Sequence, residues 1–551
     1  MPPSEHPPFP DLLHPVPFRR VDAEGTRLAI ALAFAGGVSG GLFAEALEAA
    51  KIAPSTWEPS SFADDLFLAN FVSSSFRVRV GGDLFPLATR HLTSLLAHPP
   101  LDPGVVAHRR AIVHELATVP ALRQALERLY VLLARFRTVL EGATGLEKWD
   151  ANRRQLDILV VVKDVFDAMT GGFAFATSGL RGLFEFGSRV QASEPYRSLA
   201  DLLHYDERLA TLDLKVRVGA DGRIRGLEVA RVRENDESVF VSSPWRRWLA
   251  KLELFVRGYR FGDGEVMARL IDAVFSGLES DVTAFVQLLG DVEFYLGAFG
   301  FADAAAAAGL AVSLPDLVPP TESRTLHGLF NPHLLAHGVV PVPCDLTTDD
   351  HGVTTLVTGP NSGGKTRLLQ SLGLAQLLAQ SGLFVPARAA RMALAPGLVV
   401  SLIQETKADQ SEGRLGTELV RIRGLFERLP PGAMVLLDEL CSGTNPSEGE
   451  EIFELVIEML ARLTPQAFIT THFLAFAARL ERERKIAGLR FLQVELGANK
   501  EPTYQFVPGV AQTSLAGHAA ARLGVTGEQL LALIERNIAA GRARAAGTPR
   551  A

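Results

Sequence analysis

The sequence predicts an α/β protein in two parts. A helical N-terminal half carries a small inserted β-hairpin, and a C-terminal half is built on a mostly parallel sheet. Three observations carry this expectation. From about residue 100, apolar residues recur at three- and four-residue spacing. The period drops to two in LDLKVRV and RIRGLEVARV, on either side of Ala220-Asp221-Gly222, where Asp-Gly suits a tight turn. Beyond residue 320, wholly apolar runs alternate with amphipathic stretches, the pattern of strands buried on both faces between helices.

At 551 residues the chain exceeds a single core. The expected division is a flexible arm at 1–27, a mostly helical region at 28–98, a helical domain at 99–320, an α/β domain at 321–540 and a disordered tail at 541–551. The arm is proline-rich and lacks the basic start and apolar core of a secretory signal. Leu28 to Ala44 is uncharged, but its Gly-Gly pairs at Gly36 and Gly40 favour two short buried pieces over a membrane span. Pro120 starts a new helix, and Asp157 to Phe166 reads as a buried one. Ser243-Pro244 opens further helices that reach about Ala308, with breaks at Gly262 and Gly264. Leu314 to Ser323 is the boundary between the halves.

Composition narrows the function. A net charge of −7 excludes an overall basic nucleic-acid binder while leaving room for local basic faces at Arg109-Arg110, Arg153-Arg154 and Arg246-Arg247. Two cysteines, Cys344 and Cys441, exclude a disulfide framework and a cysteine-built zinc site, and fit a cytoplasmic protein.

Residues 353–358, VTTLVT, lead into Gly359-Pro360-Asn361-Ser362-Gly363-Gly364-Lys365-Thr366 and then a helical stretch. This is the G-x-x-x-x-G-K-[ST] phosphate loop (P-loop) in its strand–loop–helix setting, and it predicts ATP or GTP binding. Glycines let successive N–H groups turn inward to phosphate oxygens at a helix N-terminus. Lys365 is expected to neutralise the β- and γ-phosphates, and Thr366 to ligate Mg²⁺. The apolar run Ala433 to Leu437 ends in Asp438-Glu439. Asp438 is expected in the Mg²⁺ shell, with Glu439 orienting or deprotonating the attacking water. A third apolar run, Ala467 to Thr471, ends in His472, a candidate partner for the γ-phosphate at the same sheet edge. The loop Cys441 to Gly449 follows the acids and suggests a subunit contact; Cys441 reads as a buried small residue, not a nucleophile.

Together these residues resemble the MutS family of ATPases, a branch of the ABC superclass. GPNSGGKT, the run from Ser381 to Ala387, LLDELCSGTNPSEG, TTHF at Thr470 to Phe473, and FVPGVAQTSLAGHAAARLGV at Phe506 to Val525 are similar to successive family motifs, over about Leu326 to Asn537. Weaker likeness upstream, at Pro100 to Arg123 and Leu289 to Glu293, resembles the family's helical core and lever. The resemblance implies an ATP- and Mg²⁺-dependent homodimer with helical dimerisation elements at the C-terminal end of the α/β domain. It also implies nucleotide sandwiched between subunits and a helical region that grips DNA.

Departures from the family pattern are expected too. Fewer than ~100 residues precede the core-like motif, too few for the mismatch-reading and connector domains together. Gly182 to Phe186 looks like the family's wedge but reads as packing, and the clamp is reduced to little more than the Leu212–Arg233 hairpin. The signature segment Gly413 to Ile422 lacks its serine, for which Ser411 or Thr417 can substitute, and no nuclease-like C-terminal extension is present. Two functions fit: an ATP-driven DNA clamp in repair or DNA-structure processing without direct mismatch reading, or an ATP-switched protein acting on a protein or membrane partner. A membrane partner is the less expected of these. A transporter subunit is disfavoured, since no LSGGQ-like run precedes Asp438.

Overall fold

Asp102 caps the helix Pro103–Thr118, its carboxylate accepting the Gly104 N–H at 2.8 Å, with proline in the first turn where no N–H is needed. Pro120 opens Pro120–Glu141 in the same way. The computed structural model describes residues 9–36, 40–142, 151–208, 211–218, 224–233, 263–360, 362–402, 414–441, 445–498, 500–512 and 525–546. They form two compact units, one of residues 1–53, 76–95 and 102–300, the other of 54–75, 96–101 and 301–551.

The first unit is helical, with Ala151–Gly172, Arg181–Gln191, Glu194–Arg208, Asp263–Val282 and Ala284–Ala307 following the pair above. Ile158, Leu159, Val162 and Phe166 of the dense apolar run have no exposure. Leu183 and Phe186 of the wedge-like run are core, and Gly264 is the second residue of the helix Asp263–Val282, at its described start. Strands Thr211–Val218 and Ile224–Arg233 pair antiparallel. The turn of that hairpin, Ser243-Pro244, Gly262 and Arg246-Arg247 lie outside the described residues.

Leu28 to Ala44 contributes to two helices, Ala23–Gly36 and Leu42–Glu48, each with buried apolar residues. Among the described residues, Ala284–Ala307 is the one helix long and apolar enough to cross a membrane, and 89% of its apolar window is buried inside the protein.

Two expectations need correction here. Residues 9–27 are not a loose arm. Leu12 and Leu13 are fully buried, and Leu12 donates its N–H to Asp291 Oδ2 (3.2 Å) and accepts from the Tyr295 hydroxyl (2.6 Å). Arg20 pairs with Asp291 at 2.5 Å, both buried. Proline-rich composition signals extension, but the polar partners that hold this segment lie some 280 residues away. Nor are two of the basic pairs charged faces. Arg109 is buried and donates to Leu13 O (3.0 Å), and Arg154 donates to the carbonyls of Ala33 and Leu140 (2.9 Å each).

Glu293, fully buried on Ala284–Ala307, accepts the Ala88 N–H (2.8 Å) and the Tyr130 hydroxyl (3.3 Å). Burial raises its pKa from an ordinary 4.5 to about 7, against those hydrogen bonds and Arg137. The folded state therefore holds this proton more tightly than the unfolded chain, so the group's contribution to stability declines as pH rises from about 4.5 to about 7. Glu293→Gln should remove roughly 3 kcal/mol of that decline. Chemical denaturation of both chains at pH 5 and pH 8 checks it; parallel losses would refute it.

The second unit holds two sheets. The larger runs Leu398–Ser401, Met434–Leu437, Gln466–Thr470, Thr354–Thr358, Leu489–Leu496 and Pro502–Pro508, all parallel except the last strand. Its three central strands are buried at every position, as their apolar runs require. A smaller sheet orders Asp316–Leu317, Ala389–Met392, Arg324–Leu329 and Cys344–Thr348. Residues 54–75, which the sequence groups with the N-terminal region, belong to this unit. Trp57 Nε1 donates to Ala395 O (3.0 Å), Asp65 accepts the Leu402 N–H (2.6 Å), and a side chain on Gly373 would strike Leu66. The unit boundary falls at residue 300, not 320. The last helix, Gly527–Ala546, runs into the expected tail because its alanines and arginines favour helix.

Candidate functional site

The glycine-rich loop joins the central strand Thr354–Thr358 to the buried helix Lys365–Gln380. Gly359 and Gly364 have φ of 139° and 83°, which side-chain-bearing residues rarely adopt. A Cβ on Gly359 or Gly363 would lie 2.7 or 2.8 Å from Val494, so the loop strand and its neighbour close together only over bare backbone. Lys365 is almost wholly buried. Its ammonium donates to Gly359 O (2.9 Å) and Pro360 O (3.2 Å), the carbonyls of its own loop. Burial lowers its pKa, opposed by the carboxylates of Glu439 and Asp438. Ser362 is exposed, and Asn361 lies outside the described residues.

Asp438 and Glu439 follow Met434–Leu437 at the same sheet edge. The Thr366 hydroxyl donates to Asp438 Oδ2 at 2.6 Å, linking the first turn of the loop helix to the acid. The Thr470 hydroxyl donates to Asp438 Oδ1 and accepts the Glu439 N–H at 2.8 Å. Lys365, Thr366, Asp438 and Glu439 thus converge. His472 lies two residues beyond Gln466–Thr470 with its ring exposed and 4.3 Å from the Phe473 ring. Cys441 is fully buried.

The donors suit a Mg²⁺–phosphate group. One hydroxyl and one carboxylate meet there, both partly exposed, and such a pair would hold Mg²⁺ where phosphates and water supply the remaining oxygens. No group of three or more His, Cys, Asp or Glu that could hold a metal ion occurs among the described residues.

Sequence reading misses the pocket beside the loop. A cavity of about 770 Å³ extends from Lys365 and Thr366 along Val339, Val340, Val342, Tyr504 and Phe506. The three valines are each about half exposed, an apolar wall suited to a planar ring. The signal available is the apolar run GVVPVP ahead of Cys344, with no chemistry of its own. The segment carrying the substitute signature hydroxyls begins the helix Arg414–Arg428; Ser411 and the Thr417 side chain lie outside the described residues, as do residues 442–444 and 513–524.

A mostly parallel sheet with a glycine loop, a buried lysine and paired acids at its C-terminal edge defines an α/β protein whose ligand edge is at the strand ends. Residues 355–538 match the family model of MutS domain V, which places that segment in the MutS family. It is 30% identical over 337 residues to Endonuclease MutS2 of Thermus thermophilus, covering 59% of this chain and 42% of that protein. The Streptococcus thermophilus protein of that name is 28% identical over 313 residues (55% and 37%), and that of Leuconostoc mesenteroides 33% over 234 (42% and 28%). The chain therefore spans less than half the length of these curated relatives.

Proposed function

We propose that the chain is a MutS-related ATPase that works as a homodimer in DNA repair or DNA-structure processing, without reading mismatches directly. The observation that carries this reading is the 2.6 Å bond from Thr366 to Asp438, which ties the glycine loop to the acid at the end of a nearby strand. In this reading the N–H groups of the loop after Pro360 and the ammonium of Lys365 bind the phosphates of ATP, and the valine wall receives the base. Thr366 and Asp438 hold Mg²⁺, which neutralises phosphate charge. Glu439 orients the attacking water and accepts its proton, and His472 hydrogen-bonds the γ-phosphate. Dimer formation is supported by the helix Gly527–Ala546, where Leu530, Leu531, Ile534 and Ile538 are all exposed.

DNA binding is supported by the hairpin. Its two strands carry five basic residues (Lys215, Arg217, Arg225, Arg231 and Arg233) against Asp213 and Glu228, in a chain that is acidic overall. Affinity for duplex, branched and mismatched DNA across a salt series tests the reading. Neutralising the five should flatten the salt dependence, by about 0.9 in log–log slope for each DNA phosphate that no longer meets a cation. A second reading, an ATP-switched protein acting on a protein or membrane partner, is favoured by the net charge of −7. Absence of salt-dependent affinity for every DNA would select it.

A further inference from the structure

Thr470 ends the strand lying between the loop strand Thr354–Thr358 and the acid-bearing strand Met434–Leu437. It has no exposure. Regular parallel pairing with the acid strand stops one residue earlier, at Leu437 opposite Ile469. From there the Thr470 side chain takes over from the backbone. Its hydroxyl proton goes to Asp438 Oδ1, and its oxygen accepts the Glu439 N–H at 2.8 Å. One hydroxyl therefore holds two successive acids by different parts of each, the carboxylate of Asp438 and the backbone of Glu439.

Both acids need such an anchor. Asp438 has its Oδ2 on Thr366, so the Thr470 bond to Oδ1 fixes the rotation of the carboxylate plane. Glu439 stands at φ 50°, a left-handed conformation that costs a side-chain-bearing residue about 1–2 kcal/mol. The direction of its side chain follows from that backbone turn, and the turn is tied to the sheet through Thr470. A serine in this place would supply the same two bonds. Valine would fill the same space while removing both bonds, the one to the Asp438 carboxylate and the one from the Glu439 N–H.

We propose that Thr470 is the positioning residue for both acids, presenting Asp438 to Mg²⁺ and aiming Glu439 at the attacking water. The proposal rests on the ATPase reading above. Holding such groups near their working geometry before substrate arrives is worth orders of magnitude in rate.

The test is ATP turnover by the full chain as a function of Mg²⁺ concentration, with nucleotide affinity measured separately in EDTA. Thr470→Val should raise the Mg²⁺ needed for half-maximal turnover about tenfold and lower kcat at least about tenfold. Its Mg²⁺-free ATP affinity should stay within about twofold of the parent, since Lys365 and the loop are untouched. Thr470→Ser should restore both kinetic parameters to within about threefold. Parent-like kcat and Mg²⁺ dependence in the valine chain would overturn the proposal, as would a serine chain as impaired as the valine one. Should the valine chain not fold, Thr470→Ala enters the same assay with the same expectations. Failure of the ATPase reading shows separately, as a parent chain that neither binds nor hydrolyses ATP.

Discussion

Lys365→Ala should weaken ATP binding by at least about 100-fold, because on the proposed reading the substitution removes the buried cation that would meet the phosphates. Lys365 is 3% exposed, and its ammonium rests against the carbonyls of Gly359 and Pro360. Those carbonyls are partial negative charges that repel phosphate once the lysine is gone, so the loop becomes worse than neutral. Substitution should leave the fold intact, since the helix Lys365–Gln380 is held by its own backbone hydrogen bonds and by Leu368, Leu372 and Leu377 in the core. Fluorescent-nucleotide titration or calorimetry reads the loss directly. Unchanged affinity would remove the glycine loop from the site.

Glu439→Gln separates binding from chemistry. The amide keeps the size of the side chain and the backbone bond to Thr470, so nucleotide affinity stays close to that of the parent. It cannot accept a proton from water, and turnover falls by about 10²–10⁴. On the proposed reading, a chain that binds ATP and cannot hydrolyse it should accumulate as a nucleotide-bound dimer, visible by size-exclusion chromatography with light scattering. Steady hydrolysis at the parental rate would take Glu439 out of the mechanism.

The parts of this architecture legible in the sequence are those whose chemistry dictates residue type at fixed spacing. The glycine loop, Lys365, Thr366, Asp438 and Glu439 can be read because strand ends and glycines leave a local mark, and they meet at one sheet edge. Thr470 looks like strand filler, since a threonine in a β-branched run says nothing about where its hydroxyl goes. Val339, Val342 and Tyr504 escape sequence reading because the cavity joins segments more than 150 residues apart. Arg109 and Arg154 mislead for the reverse reason. Adjacent arginines suggest a charged face, whereas one of each pair serves carbonyls in the interior. The N-terminal segment looks loose in sequence because Asp291 and Tyr295, its partners, give no sign locally.

The placement of residues 54–75 in the second unit bears on how this protein can be taken apart. A clone beginning at residue 301 would express the α/β sheet without Trp57, Asp65 and Leu66, leaving Ala395 O and Leu402 N–H unpaired and the space against Gly373 empty. Such a fragment is expected to be poorly soluble for a reason unrelated to its chemistry. A useful excised version would have to graft 54–75 back through a linker, or keep the chain whole.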